Sequence, residues 1–161
     1  MKGRRMKIVV GIVVGLFAIA GAALATPGVG ILGIVQARGT NADELNVHSA
    51  EGIKLKTQGP VDFVTQQITI APGGTTGWHS HPGPVLVTVK SGALTLVYAD
   101  DPTCAGRTYT AGQSFVDRGD ETVHTALNLG TEPVELWGTY IVPGPAGAAF
   151  RLDAADPGCD F

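Results

Sequence analysis

Helical periodicity, internal repeats and low-complexity linkers are all missing from this chain of 161 residues. Their absence excludes a helix bundle, a solenoid and a two-domain arrangement joined by a flexible tether. Basic clusters are missing beyond residue 7, which argues against nucleic acid or an anionic membrane surface as a partner. Cysteine is scarce, with Cys104 and Cys159 the only two, and none lies near the N-terminus to carry a lipid anchor. A convincing buried acid or base is lacking too, which weakens isomerase and hydrolase readings.

What is present begins with an address. Lys2, Arg4, Arg5 and Lys7 form a positive segment, Ile8 to Ala20 is apolar, and Ala23-Leu24-Ala25 offers small residues at a cleavage spacing. Residues 1–25 therefore read as a signal peptide that forms a helix. An uncleaved anchor over 8–25 is the alternative, since 18 apolar residues are the lower limit for a span. Arg4-Arg5 is a poor twin-arginine signal because Lys7 interrupts the apolar stretch. Removing four basic and no acidic residues moves the net charge from −3 to −7. The expected location is exported, with any membrane contact made only through the N-terminal segment. Two cysteines in an exported chain read as one disulfide, Cys104–Cys159, tying the tail to a loop.

The body of the chain is rich in Gly and Pro, with short apolar runs between turn signals, and reads as all-β. Residues 26–50 are expected to be a leader and loop, with Ile34 to Arg38 the one candidate strand and His48 a solvated loop residue. Ile53-Lys54-Leu55-Lys56 alternates as a half-exposed strand, and 62–70 follows. Further strands are expected at 77–81, 85–89, 94–99, 107–110, 114–116, 123–129 and 134–142, in meander order. Residues 51–152 make one domain of ordinary size, and 153–161 a tail.

Histidine carries the chemistry. His79-Ser80-His81 places two imidazoles on one face of a strand, because side chains at i and i+2 point the same way. His124 on a neighbouring strand would be the third. Three neutral imidazoles suit Fe, Mn, Zn, Ni or Cu and leave coordination positions open. A pocket of three histidines that hydrogen-bond a ligand without metal is the bland alternative. Val85, Val87 and Val89 share a parity, so Val85 faces the interior. Trp78, Phe115, Trp137 and Tyr140 are candidate apolar walls, and Asn128 is the polar candidate beside the ligands. Asp117, Asp120 and Glu121 read as solvated turn residues.

The spacing resembles the cupin superfamily. Its first motif is Gly, five residues, His-x-His, three or four residues, Glu, six residues, Gly; Gly73, His79, His81 and Gly92 match, with Val85 at the Glu position. Its second motif is Gly, five residues, Pro-x-Gly, two residues, His, three residues, Asn. Gly112, His124 and Asn128 match it, with Arg118 for the Pro and one extra residue before the His. The resemblance spans about residues 60–142 and implies a double-stranded β-helix, a jelly-roll barrel with a metal in its mouth. The missing Glu leaves a three-histidine centre, which some cupin dioxygenases use.

Cupin-like folds host many activities, so three functions stay open. The first is an Fe-dependent enzyme of dioxygenase type. The second is a module that binds a small molecule such as a sugar or metabolite. The third is a domain stabilised by its metal. A homodimer is compatible with each.

Overall fold

The computed structural model describes residues 25–159 and 161, so the expected signal helix and its anchor alternative lie outside the described residues. Among the described residues no helix is long and apolar enough to cross a membrane. The chain forms strands β1 (Val29–Asn41), β2 (Asn46–His48), β3 (Lys54–Lys56), β4 (Val61–Thr75), β5 (His79–Ser80) and β6 (Val85–Ser91). After these come β7 (Ala93–Tyr98), β8 (Arg107–Thr110), β9 (Ser114–Asp117), β10 (His124–Leu127), β11 (Val134–Pro143) and β12 (Leu152–Asp153). The expected all-β class holds across the described residues.

Ten strands join in one sheet, while β2 and β3 pair apart from it. One run of ladders is β1-β4-β11-β6-β9, the other β12-β5-β10-β7-β8, and Thr75 of β4 opposite Leu127 of β10 links them. Neighbours in sequence are mostly not neighbours in the sheet, which corrects the expected meander. The crossing order is that of a jelly roll, and it brings strands separated by more than 40 residues side by side, as His79 and His124 are. Inward side chains from both runs meet in one core, with Val64, Ile68 and Ile70 of β4 and Val85, Val87 and Val89 of β6 facing Leu94, Leu96 and Ala126. On β11 the alternation is clean: Val134, Leu136, Gly138, Tyr140 and Val142 are buried and the residues between are not.

Residues 26–50 are not a leader and loop. Thirteen of them form β1, paired with β4 from Val29 opposite Thr75 to Asn41 opposite Val61. The alternation that betrays a strand is absent because β1 is an edge strand exposed on almost every residue. Upstream of it, the Thr26 amide donates to Ala154 O at 3.1 Å and its hydroxyl accepts from the Trp78 amide at 3.1 Å, pinning the segment across β5. Asp62, at the β4 start, receives Arg38 Nε and the Thr40 hydroxyl of β1 at 2.6 Å each. Those donors hold its carboxyl down at about 2, the Thr40 hydroxyl most of all. His48 lies in β2 and not in a loop, exposed as expected, with its ring against Asn46 Oδ1 at 3.0 Å.

The cysteines are bonded, Cys104 to Cys159, with Cα atoms 5.8 Å apart. Trp78, Val97 and Leu127 pack with Cys159 in a second small core beneath the tail. The bridge spans 55 positions, and constraining a loop of that length is worth about 4 kcal/mol in the chain-entropy account. Cys104→Ser with Cys159→Ser is therefore expected to lower Tm by roughly 10 °C. A shift of a degree or two in a thermal melt would show that the tail is held without the bond.

Candidate metal centre

β5 is only two residues long, and its position is set from both sides. His79 lies opposite His124 of β10 on one edge and opposite Asp153 of β12 on the other. The three histidines thereby converge: ring centroids are 4.4 Å apart for His79 and His124, 4.8 Å for His79 and His81, and 5.2 Å for His81 and His124. One nitrogen from each lies within 4.8 Å of the other two. All three are buried, at 4–5% exposure.

The decisive detail is the other nitrogen. His79 Nδ1 lies 2.7 Å from Gly77 O, His81 Nδ1 2.6 Å from Phe150 O, and His124 Nδ1 3.1 Å from Thr122 O. A carbonyl only accepts, so each Nδ1 must carry the proton and donate it. Each Nε2 is then an unprotonated lone pair. Backbone carbonyls fixing the tautomer of ligating imidazoles is the usual arrangement behind a metal. Burial also keeps the rings neutral, depressing His79 to about 2 and His81 to about 4 and lowering His124. The residues present fit a divalent transition metal.

The histidines line an inner cavity of about 50 Å³ with Val85, Val87, Phe115, Asp117 and Tyr140. An outer cleft of about 390 Å³ reaches His79 and His81 past Gln66, Tyr140 and Arg151. A larger groove of about 530 Å³ lies between Leu55–Val61 and Pro82–Pro84, with Lys56 its one ionisable side chain, and has none of the histidines.

The structure brings Val85, Phe115 and Tyr140 to the centre. Tyr140 lies 5.2 Å from His81, ring to ring, and its hydroxyl donates to Gln66 Oε1 at 2.9 Å. Burial pushes that phenol up to about 12, so it stays protonated. Trp78, Trp137 and Asn128 do not line the histidine cavity. Trp78 points the opposite way from His79 and packs over Cys159. Trp137 sits between inward Leu136 and Gly138, so the pleat turns it outward. Asn128 locks a turn, its amide donating to Ile70 O and Glu132 O and accepting from Gly130 N.

Asp117 is a correction in the other direction. It is 2% exposed, ends β9, and lines the cavity, while Asp120 and Glu121 are exposed as expected. Period-two alternation from Phe115 is the signal that could have found it. The turn after it is pressed onto the bend that follows His81: Gly119 adopts φ +70°, and a Cβ there would come within 2.3 Å of the Gly83 backbone. Arg151, Gln66 and the Phe150 carbonyl carry no sequence signal, because they reach the site only through the fold.

The sequence model of the Cupin domain family matches residues 66–142, from mid-β4 to the end of β11, and includes all three histidines. That stretch of the chain is a cupin domain. Solved structures similar to this cupin include an uncharacterised double-stranded β-helix protein of Klebsiella pneumoniae, 23% identical over 72% of this chain and 88% of that one, TM-score 0.48. A cupin domain of Bordetella pertussis is 19% identical over 74% of this chain and 99% of that one, TM-score 0.47. The oxalate decarboxylase of Bacillus subtilis, studied for its Mn(II) centres, is 20% identical over 56% of this cupin and 23% of that chain, TM-score 0.45. Among curated proteins none matches in sequence.

Proposed function

We propose that this cupin is an exported, metal-dependent oxidoreductase of dioxygenase type acting on a small molecule that enters through the Arg151 cleft. The observation that carries the reading is the set of three Nε2 lone pairs, each presented by an imidazole whose Nδ1–H is held by a carbonyl, at the end of a cleft open to solvent. A divalent metal such as Fe(II) or Mn(II), held by His79, His81 and His124, supplies redox or Lewis-acid chemistry at its open coordination positions.

The remaining residues bind and orient. Arg151 donates through Nη2 to Thr76 O at 2.9 Å and through Nε to Asp153 Oδ1 at 2.8 Å, which fixes its guanidinium beside the cleft. It favours an anionic group on the substrate. Tyr140 holds the oxygen of the Gln66 amide and leaves its NH₂ for the ligand. Val85, Val87, Leu94 and Leu96 keep the inner cavity dry. Export is supported by the disulfide, a bond kept in oxidising compartments, and by the basic-then-apolar N-terminal segment.

The test is oxygen uptake by iron-loaded protein offered a panel of small hydroxy and keto acids. Substrate-dependent uptake is expected. The second reading, a binding module, rests on the inner cavity's largely apolar lining. Heat of binding to a panel member without oxygen uptake would favour that reading and sink the enzyme.

A further inference from the structure

We propose that Asp117 is the charge-supplying carboxylate of the metal centre, standing 3.8 Å from His124 Nδ1 and supplying from β9 the negative charge that Val85 cannot supply from β6. This rests on the three histidines binding a metal. Asp117 is the direct cross-strand partner of Val85 in the antiparallel β6–β9 ladder. Residues directly opposite one another project to the same side of the sheet with Cβ atoms about 5 Å apart. Both are 2% exposed and both line the histidine cavity. The carboxylate missing from the first motif thus reappears one strand over.

Its two oxygens do different things. Oδ1 accepts from the Gly119 amide at 3.3 Å, holding the turn. Oδ2 is the one buried side-chain polar atom among the described residues with no hydrogen-bond partner, and it lies 3.8 Å from His124 Nδ1. A buried carboxylate oxygen without a partner is costly unless positive charge comes to it. A dication on the far side of the His124 ring brings that charge. The contact is to Nδ1 and not to the lone-pair nitrogen, so Asp117 acts on the metal through the imidazole. The Nδ1 proton is donated to Thr122 O, which fixes the ring, and a negative charge beside that nitrogen raises the donor strength of the other.

The experiment is a Zn(II) titration in competition with a chromophoric chelator, on the full-length protein and two variants. Asp117→Asn keeps the shape and the Oδ1 acceptor for Gly119 but removes the charge, and is expected to weaken Zn(II) binding by roughly 10- to 100-fold. Asp117→Glu keeps the charge and is expected to stay within a few-fold of wild type. Asparagine binding at wild-type strength overturns the proposal. Equal losses in both variants also overturn it, since packing and not charge would then be responsible. Failure of the wild-type protein to bind Zn(II), Mn(II) or Fe(II) instead removes the metal reading itself, a result separable from either of these.

Discussion

His124→Ala should abolish tight metal binding. Two imidazoles remain, His79 and His81, and a two-nitrogen site open to water holds a divalent ion far more weakly than three convergent donors. Metal content after dialysis is expected to fall from about one equivalent to a trace. The clearer measurement is the thermal shift on adding metal. Binding to the native state alone stabilises it by about 2.7 kcal/mol when free metal is one hundred times Kd, so wild-type Tm should rise by several degrees. The variant should show no such rise. Its metal-free melting point will also drop, because Thr122 O loses its donor and a buried ring leaves a void. That drop says nothing about metal, which is why the difference with and without metal is decisive. A metal-dependent shift equal to wild type would mean that His124 is not a ligand.

The metal-free protein should be acid-labile well above the range where carboxylates titrate. His79 and His81 are held near 2 and 4, chiefly by burial, against an ordinary value of 6.5. Their folded pKa values lie below their unfolded ones, so between those limits the unfolded chain binds the extra protons and stability falls as pH falls. The window opens near 6.5 and closes near 4 for His81 and lower for His79. Each group contributes a slope of about 1.4 kcal/mol per pH unit within it. Together they should remove several kcal/mol between pH 6.5 and 4.5, a large share of the stability of an ordinary domain. Denaturant unfolding of chelator-treated protein at a series of pH values checks this. Constant stability down to pH 4.5 would mean that the three rings are hydrated and not held neutral by burial.

Much of the site is legible in the sequence alone. His79 and His81 share a face because a strand has period two, and that geometry depends on nothing outside the tripeptide. Val85 follows by the same parity, and the even cysteine count points to the one pairing open to it. Trp78 and Trp137 show where local reasoning stops. Each is large and lies near a motif, but the pleat assigns each to the face away from the cavity, and only the sheet says which face that is. β1 gives no comparable signal, because an edge strand exposed along nearly its whole length has no reason to alternate.

By itself, then, the sequence determined the all-β class, the histidine triad, the inward valine and the disulfide, since each follows from short-range periodicity, motif spacing or residue count. The tertiary structure alone decided that Asp117 stands opposite Val85, that Phe150 lends its carbonyl to His81, and that Arg151 lies beside the cleft. These are cross-strand and cross-barrel relations between residues as many as 75 positions apart. They are set by register, and register is settled by the packing of the whole core.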